Sequence, residues 1–247
     1  MENTLRAFVV AFACTAVFAG TRDDGVPDAV YVEYARGFAP YTPKLEATLE
    51  GGKHHYATAV MISDHWAVTA AHVVDNVEGV CLLSGTTRHC IDEIVVHREW
   101  ADKFGRDDIA LLKSSKPFGL SFYPSLATGE ENVGDTVSIV GYGITGRLST
   151  GYDTVDNVLR AGTNTIERFE NSLIVCEARR KSSPFEYCIS PGDSGGPLFC
   201  RGRLAGINSI TMRSGRGGLR SREGEETGHT RVSLYREWIR GVMGGGK

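Results

Sequence analysis

From His55 onward the chain reads as one short run of β-favouring residues after another. The runs "HYATAVMIS", "WAVTAAH", "IDEIVVH", "DIALLK", "DTVSIVGYG", "NSLIVCEA", "GPLFC", "RLAGINSI" and "HTRVSL" are each brief and rich in Val, Ile, Thr or Leu. Glycine, Asp-Asn, Ser-Ser or proline clusters separate most of them. Such spacing predicts an all-β chain of antiparallel sheets closed into barrels or sandwiches, and it argues against alternating βαβ units. Helical spacing is clear only in "LYREWIRGVM", where Leu234, Trp238, Ile239 and Val242 share one side, so a C-terminal helix is expected over about 233–243.

With 247 residues there is room for one large domain or two small ones, each with a proper core. Lys116 to Val133, "KPFGLSFYPSLATGEENV", holds two prolines and no alternation, and reads as the connection between two halves. Arg213 to Gly228 reads as a charged, glycine-rich, mobile loop, in which Glu223, Glu225 and Glu226 offset the arginines. With a net charge of −3 and no basic stripe, nucleic-acid binding is not expected.

The first residues, "MENTLRAFVVAFACTAVFAG", place Arg6 before an apolar stretch from Ala7 to Phe18, with Val17 and Ala19 at cleavage spacing. This is the pattern of a secretory signal peptide over residues 1–19, removed after Ala19 or Gly20. The stretch is too short to span a bilayer as a helix, and Phe12 is a poor neighbour for lipidation at Cys14, so no membrane anchor is expected. The mature chain is expected in an extracellular or periplasmic compartment. Cleavage removes one of the six cysteines and leaves Cys81, Cys90, Cys176, Cys188 and Cys200, an odd set with at least one unpaired thiol. Cys81 and Cys90 bracket the turn-rich "LLSGTTRH" and read as a stapled hairpin. No second cysteine pair stands at zinc spacing, and neither a metal nor a cofactor is expected.

The chemistry centres on Pro191 to Pro197, "PGDSGGP", where three glycines and two prolines surround one serine. Glycine permits positive φ and close backbone approach and proline fixes φ, so the segment reads as a turn built to present Ser194. A serine hydroxyl needs a base within reach and an acid to orient that base. His54, His55, His65, His89, His97 and His229 lie among polar or turn residues. His72 instead ends the apolar run "WAVTAAH" beside two alanines, and Asp108 opens "DIALLK", an awkward place for an unpaired charge.

In the order His72, Asp108, Ser194, the motifs "VTAAH", "DIALL" and "GDSGGP" resemble those of the chymotrypsin-like (trypsin-fold) serine proteases, from about Thr48 to Met243. The resemblance implies two antiparallel six-stranded β-barrels, the first over about 45–118 and the second over about 130–233, with the site in the cleft between them. It implies Ser194 as nucleophile, His72 as general base and acid, Asp108 rather than Asp107 as the orienting carboxylate, and an oxyanion hole at the amides of Gly192 and Ser194. Ser209 matches the serine that supports the buried aspartate, and Ser209, Ile210 and Thr211 would pair with an extended substrate. Protein or peptide substrates, protein protease inhibitors as partners, and a monomer follow from the same resemblance.

Departures from the pattern are as informative. Ala57 and Val73 stand where mammalian members clamp the histidine loop with a disulfide. Cys200 matches a cysteine whose usual partner position is Val137, which leaves it unpaired and implies a Cys176–Cys188 bond. The segment "CISPGDSGGP" is two residues longer between cysteine and serine than in trypsin and resembles the bacterial streptogrisin-type proteases. The base of the specificity pocket is therefore Glu186 on one alignment and Cys188 on the other, with Thr211 and Thr227 at its walls. In the family the residue before the nucleophile, Asp193 here, pairs with a newly exposed N-terminal ammonium. The usual basic residue followed by Ile-Val-Gly-Gly is missing, and Ile139 stands where streptogrisin-type members carry a compensating arginine. Signal peptidase would supply the ammonium at Gly20 or Thr21; the competing site is a cut at Arg36 that exposes Gly37. A catalytically silent homologue acting as a binding module is the alternative to an enzyme. An α/β-hydrolase esterase, suggested by the G-x-S-x-G match, would need its acid and histidine after the serine, where His229 stands without an aspartate.

Overall fold

A computed structural model describes residues 20–101, 105–212 and 220–245. The signal-peptide segment and the run 213–219 of the charged loop lie outside the described residues. Chain order begins with a short strand β1 (Thr21–Arg22) and a helix α1 (Asp28–Ala35). The first half then lays down β2 (Lys44–Leu49), β3 (Lys53–Thr58), β4 (Val60–Met61) and β5 (Trp66–Thr69), a single helical turn α2 (Ala71–Val74), and β6 (Gly79–Ser84), β7 (Thr87–Cys90), β8 (Glu93–Val96) and β9 (Ala110–Lys113). The second half contributes β10 (Thr136–Gly141), β11 (Thr145–Arg147), β12 (Gly151–Thr154), β13 (Arg160–Glu170), β14 (Leu173–Glu177), β15 (Tyr187–Cys188), β16 (Pro197–Cys200), β17 (Arg203–Met212) and β18 (Glu226–Arg231). Helix α3 (Arg236–Met243) follows.

Six strands of the second half close into a barrel in the order β10-β13-β14-β18-β17-β16. Closure leaves no exposed edge, so every strand finds a partner on both sides. The first half differs from a closed six-stranded ladder: it forms two four-stranded sheets, β3-β2-β6-β7 and β4-β5-β9-β8. They enclose a core of Leu45, Val60, Met61, Val68, Leu82, Ile109, Leu111 and Leu112, all essentially fully buried. Between residues 114 and 135 no strand forms, as a connection requires; its one ladder contact is a bridge from Leu126 to Leu204.

Among the elements that were not foreseen, β1, α1 and β13 matter most to the second half. β1 adds parallel to β11 and antiparallel to β15, so that Thr21 lies opposite both Gly146 and Cys188. Helix α1 follows Pro27, buries Tyr31 and Ala35, and is fastened by Asp28 to the buried Arg160 at 2.7 Å and to Arg22 at 2.7 Å. β13 runs for 11 residues with Arg160, Thr163 and Asn164 buried, their polar atoms satisfied by α1 and neighbouring chain instead of by water. The expected C-terminal helix begins later than its apolar spacing suggests, because Val232–Tyr235 form a 3-10 turn that leaves Leu234 exposed. The charged loop also ends sooner than expected, since Glu226 already belongs to β18.

Cys81 and Cys90 face each other across β6 and β7 and form the expected disulfide, with a Cα–Cα distance of 4.0 Å. The expected Cys176–Cys188 bond is not present: both are free, buried thiols. Cys176 packs inside the barrel with Ile139, Ile166 and Ile174, whereas Cys188 packs with Leu148 and Ala178 in a separate cluster. Burial holds both thiols protonated, well above the ordinary range. Cys200 is also free, and it pairs across the ladder with Val137.

Candidate active site

After β5, Ala70 caps and Ala71 opens α2, both fully buried, and their small side chains let the chain turn sharply so that His72 stands on α2. Its Nδ1 lies 2.8 Å from Asp108 Oδ2, and its backbone N–H donates to Asp108 Oδ1 at 2.9 Å. Asp108 is 2% exposed. Burial works against its ionisation, but the hydrogen bonds from His72 and from Ser209 Oγ, the latter at 2.6 Å, outweigh it and hold the carboxyl below the ordinary range. With both carboxylate oxygens engaged, the imidazole is fixed in plane and its Nε2 is left for other chemistry. Asp107, at φ +52°, instead accepts from the Tyr235 hydroxyl at 2.8 Å.

The turn around Ser194 is held by backbone contacts that only glycine permits. Gly195 has φ +80°, and a Cβ there would fall 2.3 Å from the Thr58 carbonyl oxygen and 1.9 Å from Thr69 Oγ1. Its N–H donates to Asn208 O at 2.8 Å, and Ser194 O accepts from Thr58 N at 3.0 Å. Gly192, at φ +98°, has its carbonyl fixed by Thr58 Oγ1 at 2.8 Å; the same hydroxyl accepts from the Tyr142 N–H at 3.1 Å. Thr58 is wholly buried, so this bridge is shielded from water. No sequence motif marked Thr58 for this role.

Asp193 lies beneath the turn, fully buried. Its carboxylate accepts from Gly143 N and Ser190 N, each at 2.8 Å, and from the Tyr187 hydroxyl at 3.2 Å. That hydroxyl also accepts from the backbone N of Gly20 at 2.9 Å. Burial is the largest influence on Asp193 and raises its pKa to about 6, the hydrogen bonds only partly offsetting it. Among the described residues no cation pairs with it. At Gly20 a side chain would have no room, since a Cβ would meet Cys188 O at 2.5 Å and Tyr187 Cζ at 2.6 Å.

A cavity of about 390 Å³ opens beside Ser194, lined by Tyr152, Ile189, Ser190, Pro191, Ser209, Ile210, Thr211 and Ser221. Ser209, Ile210 and Thr211 thus line the same cavity as Ser194. Glu186 and Thr227 do not. Glu186 is fully buried away from this cavity and accepts from Ser182 Oγ at 2.7 Å, Ser183 Oγ at 2.6 Å and Arg179 N at 3.2 Å. The Thr227 hydroxyl turns inward and donates to His229 Nε2 at 2.9 Å, and His229, lowered to about 3 by burial, donates from Nδ1 to Asn208 Oδ1 at 2.9 Å as a structural histidine. Ala57 and Val73, in place of a disulfide, are core residues.

One closed β-barrel joined to two curled sheets, with these side chains, is the fold of a chymotrypsin-like serine endopeptidase. A family model described as Trypsin matches residues 32–239, and the chain belongs to that family. Trypsin-3 of Salmo salar is 27% identical over 216 residues, which cover 80% of this chain and 87% of the relative. A collagenase of Hypoderma lineatum is 28% identical over 221 residues, 82% of each chain. Among solved structures, HL collagenase is similar with a TM-score of 0.67 at 24% identity, covering 91% of this chain and 97% of that one. Mouse neuropsin has a TM-score of 0.66 at 21% identity, covering 83% and 95%. None of these four is a streptogrisin-type protease, and the finer resemblance of the nucleophile loop gains no support from them. No helix among the described residues is long and apolar enough to cross a membrane.

Proposed function

We propose that this chain is a secreted serine endopeptidase that cuts protein or peptide substrates through an acyl-enzyme on Ser194, in the cleft between a first, two-sheet half over about 45–118 and a second, barrel half over about 130–233. The observation that carries the reading is the buried Asp108 holding His72 by ring and backbone together, with Ser209, which shares the cavity of Ser194, completing the carboxylate's contacts. In the reaction His72 Nε2 takes the Ser194 proton as Oγ bonds to the scissile carbonyl carbon. The Gly192 and Ser194 amides receive the oxyanion. Histidine then delivers the proton to the leaving amine as the C–N bond breaks, and water repeats the sequence to free the acid.

Removal of the first 19 residues would convert the Gly20 amide, already beside Tyr187 and Asp193, into an ammonium. Export itself would then supply the missing cation, with no separate zymogen cut. A cut at Arg36 would instead discard β1 and α1, including the wholly buried Tyr31. A fluorophosphonate probe should label the mature protein, and Ser194→Ala should abolish both labelling and proteolysis. Asp108→Asn should preserve the fold but lower kcat about 10⁴-fold by imposing the wrong tautomer. Labelling that persists in Ser194→Ala overturns the assignment.

A further inference from the structure

The cavity beside Ser194 has no charged residue among its described lining. The carboxylates nearest in sequence are committed elsewhere: Glu186 to Ser182 and Ser183, Asp193 to Gly143, Ser190 and Tyr187, and Glu225 to the Ser221 N–H at 2.8 Å. The neighbouring run 213–219, "RSGRGGL", contains no acidic residue. Asp153, next to the lining residue Tyr152, accepts from Thr154 Oγ1 at 2.7 Å, so no described residue of the lining itself offers a charge to a substrate cation.

The polar groups of the lining are largely spent as well. Ser190 Oγ donates to Ile144 O at 2.7 Å, Ser209 Oγ to Asp108 at 2.6 Å, and Thr211 Oγ1 to Ile189 O at 3.4 Å. Ser221 Oγ has no partner and is shut away from solvent. What remains for a ligand is the apolar surface of Tyr152, Ile189, Pro191 and Ile210. A volume near 390 Å³ is at the small end of the range for ligand cavities and suits one side chain with its flanking backbone.

We infer that this cavity selects an uncharged, apolar side chain at the residue whose carbonyl is attacked, so that the chain, despite its family, does not cut after Lys or Arg. The inference rests on the protease reading, since the cavity matters only if Ser194 attacks beside it. Moving an ammonium or guanidinium from water into a lining without a counter-charge is strongly unfavourable, whereas apolar side chains gain by leaving water. Ile189 is the positioning point of this selectivity: it is 3% exposed, lines the cavity, and its carbonyl accepts from Thr211 Oγ1 at 3.4 Å.

The test uses the mature chain from Gly20, its active sites counted by fluorophosphonate labelling, and a series of peptide anilides that differ only in the residue before the scissile bond: Ala, Val, Leu, Phe, Lys, Arg and Glu. The best apolar member should exceed Lys, Arg and Glu by at least 100-fold in kcat/KM. Ile189→Asp should narrow the gap for Lys and Arg by at least 10-fold, and Ile189→Ser should leave the charged substrates excluded. Preference for Lys, Arg or Glu by the wild-type chain overturns the inference even if Ile189→Asp fails to fold. Absence of both labelling and cleavage overturns the protease reading and this inference together, whereas labelling with a charged preference overturns this inference alone.

Discussion

A free amino group at Gly20 should decide whether the Ser194 loop is set at neutral pH. Asp193 is buried with a pKa raised to about 6 from an ordinary 3.8. A shift of about two units corresponds to about 3 kcal/mol against the ionised form. The folded state therefore binds more protons than the unfolded one between these values, and stability falls as pH rises through them, with the full penalty present above pH 6. An ammonium beside the carboxylate removes that penalty, which amounts to about a hundredfold change in the population of the ordered loop. The comparison is between a chain that starts at Gly20, the same chain acetylated, and one extended by two residues. At pH 7.5 the free-amine chain should have about 100-fold higher kcat/KM and resist urea by about 3 kcal/mol more. The stability gap should narrow as pH falls below 6 and close only near the unfolded value of 3.8, where Asp193 is protonated in both states. Gly20→Val should resemble the extended chain, because a side chain there collides with Cys188 and Tyr187. Equal activity and stability of all three chains at pH 7.5 would refute the reasoning.

Thr58→Val should lower kcat at least 10-fold with KM little changed, and Thr58→Ser should restore it, because only the hydroxyl that fixes the Gly192 carbonyl differs. Gly195→Ala should cost several kcal/mol in denaturant unfolding, about 3 or more, since positive φ and collision with the Thr58 carbonyl act together. Replacing Cys81 and Cys90 by alanine should lower stability by about 2–3 kcal/mol, the chain-entropy value for so short a loop. Asp28 is depressed to about 2, first by its hydrogen bond to Arg160 and despite partial burial. Its contribution should be complete above the unfolded value near 3.8 and vanish as pH falls towards 2, so Asp28→Asn should lower Tm at pH 7 and not at pH 2.

The strands that bury alternating apolar residues were legible in the sequence, as was the hairpin that Cys81 and Cys90 staple. β13 was not, because it is covered on both faces and its buried positions include Arg160, Thr163 and Asn164, whose burial makes sense only once Asp28, Ser183 and Tyr187 are in place. Helix α1 escaped for a related reason: its apolar residues follow no clear stripe, and ion pairs fasten its start. His72 and Asp108 stood out in apolar runs and Ser209 through the family resemblance, and in the structure His72 and Ser209 both bond to Asp108. Glu186 and Cys188 misled because an alignment assigns positions without depth. One carboxylate has turned to Ser182 and Ser183, and two cysteines that looked like partners sit in separate clusters.

Strand β1 also governs the timetable of assembly. Gly20 is the first of the described residues to be synthesised, yet 167 positions separate it from Tyr187. Contacts between near neighbours form early and long loops close late, so the strand that is made first is seated last. The turn that presents Ser194 depends on that seating through Asp193. On the proposed reading, competence at Ser194 would therefore follow folding and not precede it, because the Gly20–Tyr187 contact must close across 167 positions first.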